Sequence, residues 1–146
     1  FRFTLLIALS GLTTIPVVYF IKDAFGADRP ITFFRNRGLA DFVVTVPDVE
    51  LNMGQTSFPS GHTMAAFALF TMLTLISIDS NRRWGLLFAV LAVLVGVSRV
   101  FLVQHFLADI LAGALLGIAV SCLIWQINRW PFFQQMKWLD GRLMGQ

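Results

Sequence analysis

The 146-residue chain is 57% hydrophobic and only 13% charged, about half the charged share of a soluble globular domain. One domain of this length cannot hide so much apolar surface in its own core, so the surplus must face lipid. The net charge of +3 is scattered along the chain and excludes a dedicated nucleic-acid surface. A single cysteine, Cys122, excludes an intramolecular disulfide. It stands inside an apolar run and reads as a small buried packing residue.

The chain opens on Phe1 rather than Met and is apolar at once, which reads as a cut or a renumbering. Residues 1–21 lack the basic start and small-residue cleavage site of a secretory signal. Residues 3–21 carry no charge and form the first expected span, with a kink expected at Pro16. The connection that follows, 22–60, is long and broken by Gly26, Pro30, Gly38, Pro47 and Gly54. Further apolar runs occupy 62–78, 84–103 and 106–128. A hydrocarbon core of about 30 Å takes about 20 helical residues, so all four runs are expected to span it. None has the polar outer face of a water-soluble bundle. Residues 79–83 form a tight polar turn, and 102–104 barely separate the last two runs. From 129 onward, Trp130, Phe132, Phe133 and Trp138 alternate with Lys137 and Arg142, the composition of an amphipathic segment at headgroup level.

Orientation rests on two signals. Alternating spans put Arg2, Arg82, Arg83, Arg129, Lys137 and Arg142 on one side, against Lys22, Arg29, Arg35, Arg37 and Arg99 on the other. Trp84, Trp125, Trp130 and Trp138 all fall near the first side, like an interfacial belt. That side is placed in the cytoplasm, and the long connection faces outward.

Three polar clusters then share one end of the helices: Lys22 with Arg29-Pro30, Pro59-Ser60-Gly61-His62, and Ser98-Arg99 with His105 and Asp109. Both histidines of the chain lie in them. Lys22, Arg29 and Arg99 make a cationic pocket, and the Arg forks match phosphate oxygens. Ser60 suits the N-cap of the second span, Gly61 lets backbone approach an anion, and a helix N-terminus offers free N–H groups. His105 and Asp109, spaced i, i+4, share a helix face about 6 Å apart along the axis. An Asp there holds one ring nitrogen and leaves the other as a nucleophile, with His62 left for general-acid work. Arg35 and Arg37 read as interfacial anchors without a catalytic role. Ser98 is expected at the phosphate, although a hydroxyl there can also bond back to its own helix. Gly113 and Gly117 read as a helix-packing pair.

These motifs, Lys22-x6-Arg29-Pro30, Pro59-Ser60-Gly61-His62 and Ser98-Arg99-x5-His105-x3-Asp109, resemble the three-part signature of the type 2 phosphatidic acid phosphatase (PAP2) superfamily. The resemblance runs over residues 1–128. It implies an all-α polytopic membrane bundle, haloperoxidase-like in its site, with four spans here and two N-terminal spans expected beyond the chain. It implies a catalytic domain at 1–128 and a cytoplasmic or interfacial tail at 129–146. His105 would attack phosphorus, oriented by Asp109, while His62 protonates the leaving oxygen. Lys22, Arg29, Ser60, Gly61, Arg99 and Ser98 would hold the phosphoryl oxygens. No metal or cofactor is expected. The expected partners are a phosphorylated membrane lipid and the bilayer, with no nucleic acid, and the expected location is a bacterial inner membrane with the site facing the periplasm or outer leaflet. Rival readings are a lipid-to-lipid phosphotransferase, a soluble vanadium haloperoxidase, which four lipid-length runs argue against, and a non-enzymatic scaffold or transporter. Undecaprenyl pyrophosphate, phosphatidylglycerophosphate, phosphatidic acid and the phosphates of lipid A all remain candidate substrates.

Overall fold

The computed structural model describes residues 1–78 and 81–136. In chain order it contains α1 (Arg2–Phe25), α2 (Pro30–Arg35), a 3₁₀ turn (Ala40–Phe42), α3 (Gly61–Ser77), α4 (Arg83–Phe101), α5 (Leu107–Asn128) and α6 (Pro131–Gln134). Among the described residues there is no strand, and the all-α class is the one expected. Asp79 of the expected polar turn, and Lys137, Trp138 and Arg142 of the expected tail, lie outside the described residues.

Among the described residues three segments are long and apolar enough to cross a membrane: Arg2–Arg35, which contains α1, then α4 and α5. The fourth expected span, α3, has 17 residues and so reaches about 26 Å, short of a hydrocarbon core of about 30 Å. Its position explains its composition. It packs against α1, α4 and α5, and Thr63, Met64, Ala68 and Met72 on it are wholly buried. A polytopic membrane bundle therefore surrounds α3, while Leu86, Leu94, Leu111, Leu115 and Leu123 on α4 and α5 face outward.

Close approach of α5 to α3 depends on missing side chains. A Cβ at Gly113 would lie 2.6 Å from the Ser60 carbonyl oxygen, and one at Gly117 would lie 2.9 Å from the Ala68 nitrogen and collide with the Met64 carbonyl. One turn further, the Ser121 hydroxyl donates to the Ala68 carbonyl at 2.6 Å. The stripe 113, 117, 121 thus forms the inward face of α5, and both partners run in the same direction. Gly96 of α4 meets both helices of this pair, at Ile110 of α5 and Thr63 of α3.

That stripe also corrects the reading of Cys122. It is exposed, because it follows the inward-facing Ser121 by about 100° of helix rotation. Other buried hydroxyls satisfy themselves locally: Ser10 donates to the Ile7 carbonyl at 2.9 Å and Thr14 to the Gly11 carbonyl at 2.6 Å. Pro16 lies within the uninterrupted α1. At the far end of the bundle Arg2 turns inward and ties α1 to the end of α5. Its guanidinium donates to Asn128 Oδ1 at 3.2 Å and to the carbonyls of Phe133 at 3.1 Å and Met136 at 3.3 Å.

The glycine seam makes a stability prediction. Gly117→Ala should destabilise the bundle by about 1–3 kcal/mol through overpacking, whereas Gly11→Ala, whose Cβ would meet nothing within 4 Å, should not. Thermal unfolding of both variants in one detergent checks this, and equal midpoints would contradict it.

Candidate active site

The polar clusters converge on a cavity of about 820 Å³ at one end of the bundle, lined among others by Lys22, Arg29, Gly61, His62 and His105. Each arrives through a local feature of sequence. α1 ends at Gly26, whose φ of +52° is the left-handed C-cap conformation that glycine adopts without strain. Lys22 stands one turn before that stop, and its ammonium donates to the Thr56 carbonyl. The chain then runs beside residues 54–57: Ser57 N donates to the Ala27 carbonyl at 3.0 Å and Arg29 N to the Gly54 carbonyl at 2.9 Å. Pro30 opens α2 with Arg29 as the extended N-cap, so the Arg-Pro pair fixes the direction in which Arg29 leaves the backbone. The guanidinium donates twice to Gln104, to its carbonyl and its Oε1, each at 3.3 Å.

The second cluster starts α3. The Ser60 hydroxyl is its N-cap, accepting from Thr63 N at 3.4 Å and from Thr63 Oγ1 at 2.9 Å. It is fully buried in the helix cap expected for it, and its side chain does not line the cavity. Gly61 does reach the cavity. A Cβ there would approach protein no closer than 3.6 Å, at Val18, so packing does not demand glycine at this position. Its open side faces the cavity beside the free N–H groups of the α3 N-terminus, where a side chain would occupy space needed by an anion.

The third cluster departs from expectation in its geometry. His105 and Asp109 are not one turn apart on a helix, because α5 begins at Leu107 and Phe106 is its N-cap. Asp109 is the third residue of α5, and its carboxylate turns back to the cap, where Oδ2 accepts from Phe106 N at 2.9 Å. The same oxygen lies 3.4 Å from His105 Nδ1 and accepts from Ser57 Oγ at 2.5 Å. With Nδ1 turned to Asp109, Nε2 is the ring nitrogen left for chemistry. The Asp109 carbonyl also accepts from Ser60 N at 3.0 Å. Arg99 is half-buried in the last turn of α4. It lies close enough to His62 to act on it electrostatically, as do His105, Arg29 and Lys22. The Ser98 hydroxyl is not turned to the cavity: it donates to the Val95 carbonyl at 2.7 Å and accepts from Arg99 Nε at 3.3 Å. Ser98 therefore supports an arginine, since the adjacent carbonyl of its own helix competes for its proton.

Sequence reasoning passed over Ser57 and Gln104. Ser57 is wholly buried and Gln104 nearly so. Besides holding Arg29, Gln104 accepts from Asn52 Nδ2 at 2.8 Å and donates to the Glu50 carbonyl at 2.8 Å. It thereby ties the long connection to the residue preceding His105. The available signal was position: each is a polar residue beside a motif. Below the cations the cavity wall turns apolar, with Ile15, Val18 and Tyr19 of α1 and Ala65 of α3. Among the described residues no three His, Cys, Asp or Glu side chains group as a metal site.

A cavity lined by cations, with a histidine backed by carboxylate, thus sits at the end of an apolar helical bundle. The sequence profile of the PAP2 superfamily matches residues 1–133, and the chain belongs to that family. It is 36% identical over 110 residues to phosphatidylglycerophosphatase B of Bacillus subtilis (strain 168), covering 68% of this chain and 52% of that protein. It is 34% identical over 135 residues to probable lipid phosphate phosphatase 4 of Arabidopsis thaliana, covering 79% and 44%. It is also 36% identical over 81 residues to bacitracin transport permease protein BcrC of Bacillus licheniformis, covering 55% and 38%. The chain spans about half, or less, of the length of these relatives. No solved structure matches it significantly.

Proposed function

We propose that this chain carries the catalytic site of an integral-membrane phosphatase that hydrolyses the phosphomonoester or pyrophosphate of a lipid. The observation that carries the reading is His105, backed by a buried carboxylate, on a cavity that is cationic at one end and apolar along α1. Lys22, Arg29 and the α3 N-terminus at Gly61 bind the phosphoryl oxygens, with Arg99 nearby, while the wall of Ile15, Val18, Tyr19 and Ala65 accepts the apolar part of an amphiphile. His105 Nε2 attacks phosphorus, the bond to the leaving oxygen breaks, and His62 delivers a proton to that oxygen. Water then attacks the phosphohistidine, giving its proton to His62, and inorganic phosphate departs with His105 restored. Asp109 keeps the attacking ring in the correct tautomer and offsets the positive charge it develops. The chemistry uses only side chains and backbone of this chain, so no metal ion or cofactor is required. The name of the Arabidopsis thaliana relative favours a lipid phosphate as substrate, and that of the Bacillus subtilis relative favours phosphatidylglycerophosphate. The permease name of the Bacillus licheniformis relative keeps a transport reading in view.

Phosphate release from a panel of lipid phosphates and pyrophosphates, in detergent with EDTA throughout, tests the proposal. Wild-type protein should release phosphate from at least one lipid. His62→Ala should lose roughly 10²–10⁴-fold of that rate but much less on p-nitrophenyl phosphate, whose leaving group needs no proton. No release from any lipid, or release only when Mg²⁺ replaces EDTA, would count against the reading; transfer to a lipid acceptor would identify a phosphotransferase.

The site is proposed to face the outer side of a bacterial inner membrane, opposite the Trp-bearing end. With Cys122 replaced by Ser, Asn36→Cys should react with an impermeant thiol reagent added to intact cells and Asn81→Cys should not. The reverse pattern would place the site in the cytoplasm.

A further inference from the structure

Three donors meet at one oxygen of Asp109, and the one with the shortest contact belongs to no recognised motif. Ser57 Oγ donates to Oδ2 at 2.5 Å, against 2.9 Å for Phe106 N and 3.4 Å for His105 Nδ1. Ser57 has no exposed surface, so neither water nor substrate accounts for a hydroxyl there. Its backbone is pinned separately, through Ser57 N on the Ala27 carbonyl at 3.0 Å. The hydroxyl is therefore held by the segment that also supplies Thr56 to Lys22 and leads into Ser60-Gly61-His62.

From this convergence we infer that Ser57 is a positioning residue for the nucleophile, resting on the phosphatase reading above. It acts through Asp109 in two ways. It locks the carboxylate rotamer, so that Oδ2 stays within reach of Nδ1. It also satisfies a buried anion that would otherwise draw the Nδ1 proton more strongly or rotate toward other donors. Because the donor lies in the connection that carries the general acid, the same bond sets His105 in register with His62 and with the cations. An alanine at 57 keeps the helix cap at Ser60 and every phosphate ligand but frees the carboxylate. A threonine keeps the hydroxyl.

Steady-state kinetics on p-nitrophenyl phosphate and on the best lipid distinguish this role from simple packing. Ser57→Ala should lower kcat roughly 10–100-fold, the scale seen when a partner orienting a reactive histidine is removed. KM and the inhibition constant for inorganic phosphate should stay within about twofold, since no oxyanion ligand is touched. Ser57→Thr should recover most of kcat. Melting curves in detergent establish that each variant is folded. A wild-type kcat in Ser57→Ala would overturn the role of Ser57 and leave the phosphatase reading standing, as would a loss that threonine does not restore. A wild-type protein with no turnover on either substrate would remove both.

Discussion

A carboxylate at the end of an apolar bundle costs several kcal/mol in lost hydration unless donors replace the water. At Asp109 those donors come from three segments: the cap of its own helix, the residue that precedes the cap, and the connection leading to α3. Its main chain adds a fourth link by accepting from Ser60 N. One residue therefore joins the start of α5, the start of α3 and the ring of His105. A buried anion is weak evidence for stability but a strong constraint on geometry, because each donor satisfies it from only one direction. Removing the carboxylate would leave the Ser57 hydroxyl and Phe106 N searching for partners inside a packed end.

That arrangement depends on how closely α3 and α5 run. The parallel pair, meeting at Gly113, Gly117 and Ser121, lets two helix N-termini open toward the same end of the bundle. Each N-terminus contributes a partial positive charge, and Lys22, Arg29 and Arg99 add full ones, so the cavity is cationic before any ligand enters. The cost of gathering cations in a bilayer is offset by the Asp109 carboxylate, which acts electrostatically on Lys22 and Arg29, and by neutral tethers. Lys22 rests on the Thr56 carbonyl, Arg29 on Gln104, and Arg99 on the Ser98 hydroxyl. Carbonyl and hydroxyl partners orient these groups without neutralising them, which preserves their charge for a phosphoryl group.

Much of this was legible in the chain because the physics is local. Uninterrupted apolar runs require a membrane bundle, Gly26 and Arg29-Pro30 mark a stop and a start, and Ser60-Gly61 marks an N-cap. The long-range parts were not legible. His105 and Asp109 are spaced as on a helix, yet the helix begins between them, since Phe106 caps it and Asp109 turns back to that cap. Ser98 looked like a phosphate ligand by motif, but its hydroxyl finds a nearer partner in its own helix. Ser57 and Gln104 carry no signature of their own, and their importance arises only when the connection folds over the helix ends. Cys122 was misplaced because an apolar run does not reveal its inward face. The spacing of Gly113, Gly117 and Ser121 does.

The covalent step most sharply separates this chemistry from direct attack by water or from a purely binding role. A radiolabelled lipid phosphate mixed with the protein and quenched within milliseconds into alkali would preserve phosphate on an imidazole nitrogen. Label is expected on the peptide containing His105, stable in base and lost in mild acid. It should be absent from His105→Ala, which should also release no phosphate. Steady turnover by His105→Ala, or label mapped to His62, would contradict the assignment of His105 as the nucleophile.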